Sequence, residues 1–314
     1  MTDTKKLAIV FPGQGSQSVG MLADLAAAYP SVQATFAEAS EALGYDLWSL
    51  VQNGPAEELN QTDRTQPAML AAGVAIWRVW NELGGPQPAV LAGHSLGEYT
   101  ALTCAGALAF TEAVNLVAER GRFMQEAVPA GQGAMAAVLG LDDETVRAAC
   151  ERAAQGEVVE AVNLNAPGQV VIAGGKAAVE RAIEELKSSG ARRAMALPVS
   201  VPSHCALMKP AADRLAARLA EIALDVPAIP VLQNVDVQAA ADAAAIKEKL
   251  VRQLYSPVRW VETIQAMAEQ GVQRIIECGP GRVLTGLVRR IDKDVNALTI
   301  YDPATLEAAL KEVT

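Results

Sequence analysis

The sequence predicts an α/β protein in which a smaller domain interrupts a larger one. Three observations lead to this prediction. Short apolar runs alternate with helical patterns along all 314 residues, and the chain is rich in apolar residues (51%) but poor in aromatic ones (4%). The segment 128–198 has a strand and helix order of its own, and the chain is long for one compact core. We therefore expect a large discontinuous domain over 1–127 and 199–314 and a small domain over 128–198.

Apolar spacing and turn residues define the elements of the large domain. Pro67 is expected near the first turn of a helix, and Thr111 is the expected N-cap of another. In chain order the pattern predicts a strand at 7–11, a helix at 67–83, a strand at 88–93, helices at 96–105, 111–126 and 211–222, a strand at 230–235, a helix capped by Ser256-Pro257 that runs to 269, and a last buried strand at 275–278.

The small domain is predicted from a separate run of elements. They are a strand at 134–139, a helix at 143–154, strands at 158–164 and 170–173 around the turn at 165–168, a helix at 177–188 and a strand at 193–199. The order β-α-β-β-α-β is that of a ferredoxin-like unit. A cleft between two such domains is a usual place for a site.

Composition and charge exclude several classes of function. The formal net charge of −10 argues against a protein that binds nucleic acid. No apolar run approaches the roughly eighteen residues of a membrane span, and the first apolar stretch is too short for a signal peptide. We therefore expect a cytoplasmic protein that does not associate with membranes. The cysteines are scattered without metal spacing, which predicts free thiols and no metal site: Cys104, Cys150, Cys205 and Cys278.

The pentapeptide Gly93-His94-Ser95-Leu96-Gly97 follows a predicted strand and precedes a predicted helix. This is the context of a nucleophile elbow, in which a strained serine stands on a turn too tight for side chains on either side. The helix start also directs free N–H groups and the positive end of its dipole at a developing oxyanion. The competing interpretation is a glycine-rich turn with an incidental serine.

A serine hydroxyl needs a base to accept its proton, and the sequence holds only two histidines. His94 adjoins Ser95, and adjacent residues on a turn usually point in different directions. His204 lies where the small domain returns to the large one, which makes it the better candidate for the base. Without the elbow, a purely structural role would be the commoner interpretation of such a histidine.

Arg120 lies in the middle of the apolar stripe of the helix predicted after Thr111. That stripe is formed by Ala113, Leu116, Val117, Met124 and Ala127. A buried guanidinium is costly unless it is paired, and arginine is well suited to grip a carboxylate with two hydrogen bonds. Its partner is either an anionic ligand or a protein carboxylate, unless the side chain reaches the rim. With the serine and the base, an anionic ligand indicates transfer of an acyl group that carries a free carboxylate.

An ordered series of motifs runs over essentially the whole chain. They are FPGQGSQ near the start, TQPAM at 65–69, GHSLGEYTAL, ERGRFMQEA, NAPGQVVIAG, PVSVPSHC, RQLYSPVRW and ECGPGRVLTGL. On these motifs the chain resembles the malonyl-CoA:acyl-carrier-protein transacylases of type II fatty-acid synthesis. The resemblance implies an α/β-hydrolase-like large domain with an inserted ferredoxin-like small one. It also implies a ping-pong acyltransferase that uses malonyl-CoA and acyl carrier protein and needs no cofactor.

The resemblance also implies roles for the residues at the matching positions. Ser95 would carry the malonyl ester, His204 would act as base and then acid, and Arg120 would hold the malonyl carboxylate. The backbone N–H groups of Gln14 and Leu96 would form the oxyanion hole. The main-chain carbonyl of Gln253 would orient the histidine, which would explain why no aspartate stands out as a third member of the triad.

Two other interpretations share some of these features. An α/β-hydrolase-type esterase or thioesterase has the same elbow, but such enzymes place the histidine after the last strand, whereas about 110 residues follow His204 here. An esterase would also have no need for Arg120 on an apolar face. A non-catalytic module that binds the carrier protein would not need Ser95, His204 and Arg120 together.

Acyl carrier protein is usually acidic, as this chain is, so docking would require a local basic patch. The candidates are Lys187, Arg192, Arg193, Lys209, Arg282, Arg289 and Arg290. For each of them a role as an ordinary solvated charge is at least as plausible. We further expect a monomer.

Overall fold

The computed structural model describes residues 6–199 and 201–313, so residues 1–5, 200 and 314 of the expected large domain lie outside the described part. The strands are β1 (Lys6–Phe11), β2 (Val90–Gly93), β3 (Gly133–Leu139), β4 (Val159–Ala166), β5 (Gln169–Gly175), β6 (Arg193–Ala196), β7 (Val231–Leu232), β8 (Val272–Cys278) and β9 (Asn296–Ile300). The helices are α1 (Ala23–Ala28), α2 (Pro30–Leu43), α3 (Leu47–Asn53), α4 (Ala56–Leu59), α5 (Thr62–Glu82), α6 (Gly97–Cys104), α7 (Phe110–Ala127), α8 (Asp143–Ala154), α9 (Lys176–Ser188), α10 (Lys209–Glu221), α11 (Ala243–Gln253), α12 (Trp260–Glu269), α13 (Val283–Ile291) and α14 (Pro303–Val313).

A parallel sheet forms the centre of the larger part of the molecule. Its strand order is β7-β2-β1-β8-β9, and every neighbouring pair runs parallel. Alternate residues of β1 enter different apolar clusters: Ile9 packs into one and Val10 into the other. Both faces are therefore covered, as parallel sheets require. Because parallel strands share a carboxyl edge, the loops after β1, β2 and β7 meet there.

A separate antiparallel sheet lies in the segment predicted to form the small domain. Its order is β4-β5-β3-β6, and helices α8 and α9 contribute to the apolar cluster on one face. The predicted element order β-α-β-β-α-β is observed. This sheet is tied to the larger part through Val258, whose N–H donates to the carbonyl of Val162 at 2.8 Å and whose carbonyl accepts from Leu164 at 3.0 Å. The mixed α/β fold with two distinct sheets agrees with the sequence prediction.

Two helix starts differ from the prediction. Helix α5 begins at Thr62, five residues before Pro67, which lies inside the helix. The extra turn packs closely on α7, because a side chain on Gly121 would stand 2.7 Å from Asp63 Cα. Thr111 is not an N-cap either: α7 begins at the buried Phe110, and Ala109 occupies the cap position without a side-chain hydrogen bond.

Three further elements were placed incorrectly. The expected strand at 230–235 is only the two residues of β7, because Gln233 and Asn234 leave the sheet to bond the carboxylate of Glu98. Helix α12 starts at the fully buried Trp260, with Arg259 rather than Ser256-Pro257 at its cap. The strand ending at Cys278 is not the last one, since β9 pairs with β8 along the sheet edge.

Candidate active site

Ser95 stands on a sharp turn between β2 and α6. Its φ of 52° lies in the left-handed region, which a residue with a side chain rarely adopts. The flanking glycines are required: a Cβ on Gly93 would lie 1.8 Å from the carbonyl carbon of Gly97, and one on Gly97 would lie 2.0 Å from the carbonyl oxygen of Phe11. The turn therefore has the geometry of a nucleophile elbow.

His204 lies against the serine hydroxyl. Its Nε2 is 2.7 Å from Ser95 Oγ, and its Nδ1 is 2.7 Å from the carbonyl oxygen of Gln253. A carbonyl oxygen only accepts hydrogen bonds, so Nδ1 carries the proton and Nε2 is free to accept the serine proton. Burial, aided by the charge of Arg120, lowers the pKa of His204 to about 3. The imidazole is therefore neutral near pH 7, as a general base must be.

The other histidine points away from the serine hydroxyl. The Nε2 atom of His94 is 2.8 Å from Asn165 Oδ1, and the ring centroid lies 5.4 Å from that of Trp260. Burial lowers the pKa of His94, so it too is neutral. This histidine connects the elbow to the end of β4.

Arg120 is buried beside Ser95, with 1% of its surface exposed. Its Nη1 donates to Gln66 Oε1 at 2.8 Å, and its Nη2 donates to Gln253 Oε1 at 2.9 Å and approaches Ser95 Oγ at 3.4 Å. Nε has no hydrogen-bond partner in the described part of the chain. No carboxylate of residues 6–199 or 201–313 lies within 4.0 Å of the guanidinium. An internal salt bridge therefore does not explain this buried charge.

The backbone N–H groups of Gln14 and Leu96 belong to two residues that line the cleft beside Ser95. Neither group donates to an acceptor within the described residues. Both residues line a cleft of about 580 Å³ together with Ser95, His204 and Arg120. Two unused donors beside a nucleophile can stabilise a developing oxyanion.

Asn234 stabilises the elbow through two hydrogen bonds, and this role was not predicted from the sequence. Its Oδ1 accepts the N–H of Ser95 at 2.8 Å, and its Nδ2 donates to the carbonyl of Gly93 at 2.7 Å. These two bonds hold both sides of the strained turn. The chain offers no local signal for this contact, since Asn234 is 139 residues away from Ser95.

Three more polar side chains near Arg120 were missed. Gln253 donates through Nε2 to the carbonyl of Ser95 at 2.9 Å and to Glu98 Oε2 at 3.1 Å, so its side chain matters as well as its carbonyl. Glu98 is fully buried, and that burial raises its pKa to about 7. A carboxylate within the small-residue helix GEYTALTC was the available signal for Glu98. Gln66 gave a similar signal, as an amide on the apolar helix α5.

The described residues contain no group of three or more histidine, cysteine, aspartate or glutamate side chains that could hold a metal ion. The four cysteines are free thiols. Within residues 6–199 and 201–313, no helix combines the length and the apolarity that crossing a membrane requires.

Comparison with known proteins agrees with this geometry. A family model described as the acyl transferase domain matches residues 8–302. The malonyl CoA-acyl carrier protein transacylase of Salmonella typhimurium is 61% identical over 307 residues, which cover 98% of this chain and 99% of that protein.

Solved structures give the same result. The crystal structure of an acyl carrier protein S-malonyltransferase from Vibrio cholerae has a TM-score of 0.95 at 65% identity and covers 96% of this chain and 99% of that one. A malonyl-transacylase solved in complex with its type II PKS acyl-carrier protein has a TM-score of 0.97 at 60% identity, covering 98% and 99%. The chain therefore belongs to the acyl transferase family and, within it, to the malonyl-CoA:acyl-carrier-protein transacylases.

Proposed function

We propose that the protein transfers a malonyl group from CoA to the phosphopantetheine thiol of acyl carrier protein through an ester on Ser95. The observation that carries this proposal is one cleft in which Ser95 meets both His204 and the buried Arg120, which no carboxylate of the described residues contacts within 4.0 Å. Ser95 and His204 together can carry out acyl transfer. Arg120 supplies the preference for an acyl group that ends in a carboxylate.

In the loading step, Ser95 Oγ attacks the thioester carbonyl of malonyl-CoA while His204 Nε2 accepts the hydroxyl proton. The carbonyl of Gln253 holds the Nδ1 proton and stabilises the imidazolium that forms. The C–S bond then breaks, and the proton passes from His204 to the departing thiolate of CoA. A general base of this kind contributes roughly 10²–10⁴-fold to the rate.

The second step reverses the first with a different thiol. The phosphopantetheine thiol of the carrier protein gives its proton to His204 and attacks the malonyl ester. The ester bond to Ser95 Oγ breaks, and the serine recovers the proton. In both steps the N–H groups of Gln14 and Leu96 would face the tetrahedral oxyanion, and one such donor contributes about 3–4 kcal/mol.

Arg120 would select the acyl group by its charge. A malonyl carboxylate can form two hydrogen bonds with the Arg120 guanidinium, whereas an acetyl group leaves the guanidinium without any direct carboxylate contact. That difference is worth about 3–5 kcal/mol, or roughly 10²–10³-fold. The esterase or thioesterase alternative is not favoured, because hydrolysis of a simple ester gives Arg120 no role.

We infer an α/β-hydrolase-like large domain over 1–127 and 199–314 and a ferredoxin-like small domain over 128–198. The strand order β4-β5-β3-β6 and the helices α8 and α9 support the latter. We further propose a cytoplasmic monomer that binds neither nucleic acid nor membranes and that needs no cofactor besides its malonyl-CoA substrate.

Of the seven cations considered for docking the carrier protein, Lys187 is the least suited, because it pairs with Glu184 at 2.7 Å. The other six form no ion pair within the described part of the chain. Arg290 donates to Gln169 Oε1 at 2.6 Å and so joins α13 to the start of β5 in the antiparallel sheet. Charge reversal of Arg290 should raise the Michaelis constant for the carrier protein only, with Lys187→Glu as the control.

Intact mass spectrometry after brief mixing with malonyl-CoA tests the proposed function. A malonyl adduct is expected on the wild type and not on Ser95→Ala, with little adduct from acetyl-CoA. Ser188→Ala, on the outer helix α9, should load normally. Release of free CoA without an adduct would indicate a hydrolase. If neither an adduct nor free CoA is detected, the chain shares only its fold with the family.

A further inference from the structure

The mechanism above makes no use of Glu98, although this carboxylate lies three residues after the nucleophile. Glu98 is fully buried in the first turn of α6. It accepts hydrogen bonds from the N–H of Asn234 at 2.8 Å, from Gln253 Nε2 at 3.1 Å and from Gln233 Nε2 at 3.2 Å. All three donors are neutral, so hydrogen bonding leaves its charge uncompensated.

Glu98 and Arg120 are linked by a single amide. The side chain of Gln253 accepts from the guanidinium through Oε1 at 2.9 Å and donates to Glu98 through Nε2 at 3.1 Å. The charged or titratable groups that face Glu98 are Arg120 on α7 and Tyr99 on its own helix, and burial raises the pKa of Tyr99 to about 12. The loop after β7 and the end of α11 present only amides and backbone N–H groups to it.

The buried charges beside the cleft sum to zero when Glu98 is ionised and no substrate is bound. Burial lowers the pKa of both His94 and His204, so both rings are neutral. Arg120 carries one positive charge, and an ionised Glu98 carries one negative charge. A malonyl carboxylate would add a second negative charge to a region of low dielectric, where an uncompensated charge is costly.

We infer that Glu98 is the resident counter-charge of Arg120 and takes a proton from solvent when the malonyl carboxylate binds, so that it sets the affinity of the site for the acyl carboxylate. This inference rests on the proposed malonyl transfer. The covalent step itself stays balanced without Glu98: the Ser95 Oγ–C bond forms, the C–S bond breaks, and the serine proton ends on the thiol of CoA. The proton on Glu98 is an additional one.

The direction of the pH dependence follows from the electrostatics. Burial raises the pKa of Glu98 to about 7, so the neutral and ionised forms both exist near physiological pH. An anion on Arg120 disfavours the ionised form further, and by reciprocity the protonated form of Glu98 favours the anion. Malonyl loading is therefore strongest below the pKa of Glu98 and weakens as the pH rises through it.

Glu98→Gln removes the charge while it can keep the hydrogen bonds. Its amide oxygen can accept from Asn234 and Gln253, as Oε2 does now. Its amide nitrogen can donate to Gln233 Oε1, which is buried without a partner in the described part of the chain, once the Gln233 amide turns over. Glu119→Gln is the control, because it removes a negative charge from the outer side of α7.

The test is the loading equilibrium, measured by intact mass at a fixed ratio of malonyl-CoA to CoA. The equilibrium constant for malonyl loading is calculated from the malonylated fraction, and acetyl loading serves to correct it for ionisation of the CoA thiol. For the wild type this constant should fall about tenfold between about pH 6 and pH 8. Glu119→Gln should follow the wild type. Glu98→Gln should show no such fall and should load about tenfold better than the wild type at the upper pH.

A flat profile for the wild type, or an unchanged slope in Glu98→Gln, would overturn the inference. If Glu98→Gln does not fold, the infrared difference spectrum of the wild type on malonylation at about pH 8, where Glu98 is ionised before loading, decides instead. A new band from a protonated buried carboxyl, separate from that of the malonyl ester, is expected, and its absence contradicts the assignment. If no malonyl adduct forms at any pH, the proposed function itself is rejected. This result differs from failure of the Glu98 inference alone, in which the adduct forms but its pH dependence is absent or unchanged in Glu98→Gln.

Discussion

The two sides of the cleft differ in how completely protein groups satisfy their hydrogen-bonding atoms. On the reaction side, formed by Ser95, His204 and the Gln253 carbonyl, both ring nitrogens of the histidine have protein partners at 2.7 Å. On the carboxylate side, formed by Arg120, Gln66 and the Gln253 side chain, the guanidinium has only neutral oxygens, and its Nε has no partner in the described chain. In the proposed function, the groups that carry out the reaction are thus fully hydrogen-bonded in the free protein, whereas Arg120 has hydrogen-bonding capacity left for a ligand.

The largest expected effect comes from breaking the reaction side. His204→Ala should slow malonyl loading by about 10²–10⁴-fold, because the Ser95 hydroxyl loses its base. Since burial lowers the pKa of His204 to about 3, the wild-type loading rate should show no fall as the pH decreases through 6.5, the ordinary value for histidine. Rapid-quench mass spectrometry over pH measures both. His94→Gln is the control, and equal losses in the two variants would contradict the assignment of the base.

Breaking the carboxylate side should change the choice of substrate more than the chemistry. Arg120→Ala should lower the preference for malonyl-CoA over acetyl-CoA by roughly 10²–10³-fold, because no buried charge then awaits a carboxylate. The ratio of kcat/KM for the two substrates measures this preference. Arg122→Ala, on the exposed side of the same helix, should keep the wild-type ratio. An unchanged preference in Arg120→Ala would assign carboxylate recognition to another group.

A smaller effect is expected where the carboxylate side is supported only indirectly. Gln66→Leu removes the acceptor of Arg120 Nη1, and a hydrogen bond to a charged group is worth about 1.5–3 kcal/mol. The KM for malonyl-CoA should rise by about 10–100-fold while kcat changes less, since Gln66 contacts neither Ser95 nor His204. Steady-state kinetics separate the two constants. A fall in kcat with an unchanged KM would place Gln66 on the reaction side instead.

The same contrast explains what the sequence could predict. The elbow was predictable because Gly93 and Gly97 flank Ser95 within one short motif, although the contact that requires glycine at position 97 is with Phe11 on β1. The burial of Arg120 was predictable because helical periodicity defines the buried face of α7. His204 could be chosen because the chain offers only one other histidine. Each of these signals is contained in a few neighbouring residues or in a count.

The supporting contacts were not predictable, because they join distant parts of the chain. Asn234 bonds the elbow, and Gln233 leaves β7 to reach Glu98, so tertiary contacts decided where that strand ends. Packing against Gly121 likewise let α5 start before Pro67, against the usual place of proline in a helix. Helices α1 to α4, α11, α13 and α14 and strand β9 were missed as well.

The structure of the malonyl-enzyme tests the contrast between the two sides most directly. We expect the malonyl carboxylate within hydrogen-bond distance of the Arg120 guanidinium and the ester carbonyl oxygen facing the N–H groups of Gln14 and Leu96, with His204 and Gln253 little displaced. A malonyl carboxylate directed to solvent, with Arg120 still bonded only to Gln66 and Gln253, would contradict the account.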